Sequence, residues 1–444
     1  MTRDHYDLII HNGTAVTVNE HLDIVEGALI GVQKGVIATV TSRPAGAALP
    51  DAAVVIDAGG GIIMPGLVNT HTHLPMTLFR GLADDLPLDV WLNEHMFPVE
   101  SQFITPENVK WGTQLACLEM LLSGTTTCCG GYFHEESVAA AVTRAGLRAV
   151  LAQGVIDFPA PGVPDPALNV AHASAYVEQW LGREANITPS IFCHAPYTCS
   201  GETLVAAKTA AREKGVLFQI HVAETEPERL NSLKEHGLTP VQYLDGIGLL
   251  DENTLLVHAV WTDHEDIELM RTRKVKISHN VESNMKLAAG IAPVPDFIAA
   301  GIAVGLGTDG CASNNDLDLF AEMDAAAKIH KAVTRDPTTL DAATVLKMAT
   351  RDGARAIGLG DVTGSLEPGK QADLIVVNTD RPHLVPMYEP HSHIVYTMRG
   401  ADVNTVVVGG KILVKDRQPV TLDQEEIIAR IADIADQIRK GRPK

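Results

Sequence analysis

Ile62-Ile63-Met64-Pro65-Gly66-Leu67-Val68-Asn69-Thr70-His71-Thr72-His73 is the stretch that decides the fold. An apolar run this short, punctuated by Pro-Gly and ending in polar residues, predicts a buried strand. Residues two apart on a strand project to the same face. His71 and His73 can therefore share one metal ion. A bare HxH is common by chance, and the preceding apolar run is what gives this one weight. The chain carries its own control in His391-Ser392-His393, which has no second ligand type beside it and reads as loop or interface histidines.

Working outward, the same pattern of an apolar run closed by a polar residue recurs. His221 ends Val216-Leu217-Phe218-Gln219-Ile220 and is followed by Glu224, a carboxylate placed to shuttle a proton. His258 ends Thr254-Leu255-Leu256-Val257, and Asp309 ends Ala303-Val304-Gly305-Leu306-Gly307-Thr308 with Gly310 to turn the chain. Candidate strands end at His73, Cys128, Asp157, His194, Ala223, His258, His279 and Asp309, separated by Ala-rich helical stretches. Eight such units predict an α/β fold, a closed (β/α)8 TIM-like barrel with its chemistry at the strand ends. An open doubly wound sheet would need a Gly-rich phosphate turn after its first strand, and none is present.

The chain ends read differently. From Asp7 to about Ile62, short β-like runs alternate with Gly and Asn turn signals, and similar runs return at Asp373–Val377 and Thr405–Leu413. The two ends are predicted to pair into one small sheet. From Gln424 to Lys440, isoleucines 427, 428, 431, 434 and 438 have helical spacing, so this helix caps the sheet or meets a partner.

With 35 Lys plus Arg against 55 Asp plus Glu, the net charge of −20 argues against nucleic acid and anionic membrane as partners. Small neutral or cationic substrates fit better. The polar opening lacks the apolar core of a signal peptide, and no run reaches the ~18 residues of a membrane span. A cytoplasmic protein is expected. Cys117, Cys128, Cys129, Cys193, Cys199 and Cys311 form no CxxC pair and are expected to be reduced and buried.

The ligand order HxH, His, His, Asp resembles the amidohydrolase superfamily over nearly the whole chain, as does Ser278-His279-Asn280-Val281-Glu282-Ser283-Asn284. The resemblance implies a metal-dependent barrel over residues 63–367, a β-sandwich from residues 1–62 and 368–420, and a C-terminal helix in 421–444. It implies that His71, His73, His221 and Asp309 hold one divalent metal ion per subunit, zinc by default, with iron or manganese as alternatives. Glu224 and His258 then flank the reacting water, with Asp309 as the third catalytic group. Binuclear relatives need a carbamylated lysine or another bridge at the fourth strand end; this chain has no lysine between Lys110 and Lys208, and His194 stands there. A mononuclear deaminase or chlorohydrolase is implied. The cytidine-type zinc deaminases are excluded by the lack of P-C-x-x-C. A metal-free paralogue is disfavoured because every expected ligand is present.

Within the mononuclear group, Arg80–Leu88, Trp91-Leu92, Pro98-Val99-Glu100, His194–Ser200 and His221–Thr225 resemble the 5-methylthioadenosine/S-adenosylhomocysteine deaminases. The likeness implies that Glu100 accepts from the ribose hydroxyls, and that His194, Glu224 and Asp309 also contact the substrate. An acid beside Pro98 has an ordinary helix-start reading as well. Gln153 stands where some members carry arginine, and the loop Phe158–Pro166 has none, so a short uncharged thioether is favoured over a homocysteine tail. The implied reaction turns adenine into hypoxanthine with release of ammonia, on methylthioadenosine, S-adenosylhomocysteine or adenosine. A relative acting on guanine, 8-oxoguanine or an s-triazine is the alternative, one in which Glu100 has no ribose to bind. A homo-oligomer is expected.

Overall fold

The computed structural model describes residues 5–44 and 46–441; the polar opening residues 1–4 and the last three of the expected C-terminal segment lie outside the described residues. The strands of the first part are β1 (His5–Val16), β2 (Ile24–Gln33), β3 (Val36–Ser42), β4 (Asp51–Asp57) and β5 (Ile62–Pro65). The central strands are β6 (Leu67–Thr72), β7 (Thr125–Tyr132), β8 (Arg148–Val155), β9 (Ile187–Cys193), β10 (Phe218–Val222), β11 (Thr254–His258), β12 (Lys276–His279) and β13 (Ala303–Leu306). Four more close the chain: β14 (Leu374–Val377), β15 (Val403–Val408), β16 (Lys411–Lys415) and β17 (Gln418–Pro419).

Both chain ends share one mostly antiparallel sheet. β5 joins them, pairing with β1 on one side and antiparallel with β14 on the other, so that Leu374 faces Pro65 and Val377 faces Ile62. Gly66 follows, where the chain leaves this sheet for the central one; a Cβ there would lie 2.1 Å from the Thr126 side chain, which is why glycine occupies the crossing.

β6 to β13 form an eight-stranded parallel sheet in sequence order. Its strands are buried on both faces, with β7 and β8 buried throughout, as expected where helices cover a parallel sheet. The edges β6 and β13 nearly close the barrel. There the Asp309 N–H donates to the His71 carbonyl at 3.0 Å, and the Asn69 amide bonds Thr308 through its Nδ2 and Oδ1 atoms at 2.8 and 3.1 Å.

Three strand ends differ by more than one residue from the sequence reading, and one of them is β13, which stops at Leu306, three residues before Asp309. β7 runs through Gly130-Gly131 to Tyr132 rather than stopping at Cys128. The glycines are there for packing, since a Cβ on Gly131 would meet the Phe192 ring at 2.6 Å. β8 stops at Val155, and Asp157 instead accepts from the Ser200 N–H at 2.6 Å and the Thr203 hydroxyl at 2.8 Å.

A buried ion pair ties barrel to terminal sheet: Arg148 Nε donates to Asp373 at 2.6 Å, with side chains 5% and 0% exposed. The helix Gln424–Gly441 buries Ile427, Ile434 and Ile438 and leaves Ile428 exposed. All six cysteines are free and buried. Among the described residues, no helix is long and apolar enough to cross a membrane.

Candidate active site

At the carboxyl ends of β6, β10 and β13, the structure brings His71, His73, His221 and Asp309 together. One ligand atom from each lies within 4.8 Å of all the others. His73 Nδ1 donates to the Gly131 carbonyl at 2.7 Å, which turns its Nε2 lone pair inward. The Nε2 atoms of His71 and His221 stand 3.2 Å apart. Asp309 Oδ1 lies 3.4 Å from Nε2 of both His71 and His73. Its other oxygen accepts from the hydroxyls of Ser283 at 2.7 Å and Ser313 at 2.9 Å.

Burial lowers the His71 pKa to about 4 and holds His221 well below the usual imidazole range. Burial opposes ionisation of Asp309, but the His71 bond and the neighbouring His73 outweigh it and keep the carboxyl well below its usual value. Imidazoles converging on one carboxylate are a donor set that suits a divalent ion. The residues present fit such a metal.

Two further groups face this centre. His258 Nδ1 lies 2.9 Å from Asn284 Oδ1, an acceptor, so the ring carries its proton there and presents a bare Nε2. That Nε2 is 3.8 Å from Glu224 Oε2, and both side chains are buried. Burial raises the Glu224 pKa, with the nearby His258 acting against it. Ala223, His258, Ala259 and Asp309 all have left-handed backbone, at φ +50°, +72°, +48° and +61°. None is glycine, so strain is concentrated where these strands end.

The centre opens into a cavity walled by Met76, Trp91, Met96, Phe97, Tyr132 and Phe192. Among the described residues that line it, none is lysine or arginine. His194, just past β9, faces it with Nδ1 2.9 Å from the Thr198 hydroxyl. Because that hydroxyl donates to the Ala195 carbonyl, His194 donates from Nδ1 and keeps Nε2 as an acceptor. Burial lowers its pKa to about 3. Glu100 stands in the first turn of the helix Phe97–Phe103, but it is only 6% exposed and lines the same cavity. The Tyr132 hydroxyl donates to its carboxylate. Burial raises the Glu100 pKa to about 7, against the lowering effect of that bond.

Other residues singled out by the sequence lie elsewhere. Gln153 accepts from the Glu135 N–H at 3.2 Å and lines a separate cavity. His279 pairs with His330, Nε2 to Nε2 at 3.2 Å. His391 bonds Glu389 at 2.8 Å. Tyr132 and Ser313 carry no signal in the sequence, and Thr198 falls in the quoted His194–Ser200 stretch, which contained it without revealing its role. Ser283 and Asn284 fall in the quoted Ser278–Asn284 motif, which contained them without revealing their roles.

The amidohydrolase family model matches residues 62–413. The chain belongs to the amidohydrolase family. This amidohydrolase is 45% identical over 433 residues to a protein named 5-methylthioadenosine/S-adenosylhomocysteine deaminase from Syntrophobacter fumaroxidans, covering 98% of each chain. It is 43% identical to a 5'-deoxyadenosine deaminase from Methanosarcina mazei, covering 97% of this chain and 98% of that one. Among solved structures, a zinc-bound adenosine deaminase from Xanthomonas campestris superposes with a TM-score of 0.96 at 37% identity, covering 98% and 99% of the two chains.

Proposed function

We propose that this amidohydrolase hydrolytically deaminates the adenine ring of 5'-methylthioadenosine, S-adenosylhomocysteine or adenosine, giving hypoxanthine and ammonia. One juxtaposition carries the reading: the Glu224–His258 pair faces the His71, His73, His221 and Asp309 donor set in a cavity that also presents a buried carboxylate, Glu100. Bound by those four residues, a divalent ion, zinc as in the Xanthomonas relative, supplies the Lewis acidity that lowers the pKa of water toward neutrality.

The protein's own groups do the rest. His258, held by Asn284, accepts at Nε2 the proton of the attacking water, and Asp309 shares that load through Oδ1. Glu224, its pKa raised by burial, gives a proton to the adjacent ring nitrogen. The ring carbon then bears both hydroxyl and amine; His258 passes the proton taken from water to the amine, the C–N bond breaks and ammonia leaves, and the hydroxyl proton returns to Glu224 as the hypoxanthine carbonyl forms. His194 contacts the ring or sugar through Nε2, and Glu100 accepts from the ribose hydroxyls. The apolar walls and the lack of a lysine or arginine among the described lining residues suit a short uncharged thioether better than a homocysteine carboxylate.

The barrel spans residues 63–367, the described residues within 1–62 and 368–420 fold as a β-sandwich, and those within 421–444 form a helical appendage; residues 1–4, 45 and 442–444 lie outside the described residues. The enzyme works in the cytoplasm as a homo-oligomer. The test follows the ultraviolet change from adenine to hypoxanthine with the three nucleosides, beside guanine and an s-triazine, on metal-analysed protein. Turnover of nucleosides alone supports the assignment; turnover of guanine or triazine alone overturns it.

A further inference from the structure

Thr225-Glu226-Pro227-Glu228 has the S/T-x-x-E form of a capping box at the start of the helix Glu226–His236. In the ordinary box the glutamate returns to the N–H of the capping residue itself. Here it reaches further back. One Glu228 oxygen accepts from the Ala223 N–H and the other from the Glu224 N–H, each at 2.8 Å. The helix is still capped by Thr225, whose hydroxyl oxygen accepts from the Glu228 N–H at 3.3 Å. The Glu228 carboxylate is therefore not needed to end the helix. It grips the turn at which Ala223 sits at φ +50°, a conformation that alanine avoids. Glu228 is 8% exposed, so the grip is made away from bulk water.

We infer, resting on the deaminase reading above, that Glu228 is a positioning residue: it clamps the Ala223–Glu224 turn so that the Glu224 carboxylate faces His258 and the substrate ring. Without the clamp the turn relaxes toward ordinary backbone, and Glu224 swings off line while the metal ligands stay on their own strands.

The test is Glu228→Gln in the full-length, metal-loaded enzyme. The amide accepts one N–H and turns its own NH2 against the other. The expected result is a fall in kcat of about ten- to a hundredfold, the size of one lost charge-assisted bond. KM should stay within about twofold and metal per chain should not change. Thr225→Ala is the companion, removing the ordinary cap but not the clamp; it should lower the unfolding temperature and spare kcat. An unchanged kcat in Glu228→Gln, or a loss matching lost metal, overturns the inference. Should that variant not fold, Glu228→Asp decides, because it keeps both acceptors on a shorter arm: reduced kcat at constant KM supports the clamp, and unaltered kcat removes it. A wild type inactive on nucleosides refutes the functional reading instead, and the same comparison then runs on whichever ring it hydrolyses.

Discussion

Glu100 offers the sharpest test of the nucleoside assignment. Burial lifts its pKa to about 7, and only the Tyr132 hydroxyl is seen to oppose that rise. A carboxylate with a raised pKa accepts hydrogen bonds at full strength above that value and loses charge as pH falls through it. At about pH 6 roughly one Glu100 in ten would remain ionised. If the charged oxygen is what binds the ribose hydroxyls, kcat/KM for methylthioadenosine should fall about tenfold per unit below neutrality. The total loss is bounded by the value of a charged hydrogen bond, about ten- to a hundredfold.

The assay is kcat/KM across about pH 5 to 9 for wild type, Glu100→Gln and Tyr132→Phe. Glu100→Gln should lie near the acid end of the wild-type curve and lose the Glu100 part of the limb. Tyr132→Phe deletes the bond that stabilises the ionised form, so its limb should move to higher pH. An adenosine lacking both ribose hydroxyls should react alike with wild type and Glu100→Gln. The reasoning fails if Glu100→Gln keeps both the limb and the full kcat/KM on methylthioadenosine.

Glu224→Gln should cut turnover by about a hundred- to ten-thousandfold, the usual worth of a positioned proton donor, with bound metal unchanged by elemental analysis. His71→Ala should lose the metal and the activity together. Dialysis against a chelator should inactivate the wild type and lower its unfolding temperature, and added zinc should restore both, because a ligand of the folded state stabilises it. Arg148→Met leaves Asp373 buried without its cation, at a cost of about 3–5 kcal/mol in denaturant unfolding, while kcat of the folded protein holds.

The metal-binding candidates were legible because they needed only local information. Period two places His71 and His73 on one face, and a polar residue closing an apolar run marks a strand end. The residues that orient them were not legible, because they come from elements that meet only once the barrel closes. Tyr132 reaches Glu100 from 32 positions away, and Asn284 reaches His258 from 26. The end of β7 was misread for a related reason. Gly130-Gly131 resembles a turn signal, and only the Phe192 ring beside it explains why a strand would carry two glycines.

Burial alone would push every carboxylate in the cavity toward its neutral form, yet the three diverge. Asp309 accepts from Ser283 and Ser313 and lies against His71 and His73, so it stays ionised. Glu224 has His258 Nε2 at 3.8 Å, too far for a hydrogen bond, and its pKa rises. Glu100 has one hydroxyl donor, and settles near neutrality. Groups of one chemical type whose surroundings drive their pKa values apart are suited to different tasks. The ionised member suits cation binding, the raised member beside His258 suits proton donation, and the one near neutrality suits pH-dependent recognition of a hydroxyl. That division follows from what opposes burial at each carboxylate: the His71 bond and the His73 charge at Asp309, the His258 charge at Glu224 and the Tyr132 hydroxyl at Glu100. Adding a donor to Glu224 should therefore cost more activity than removing Tyr132 from Glu100, since the first takes away the proton the reaction uses and the second only shifts the pH at which the substrate is held.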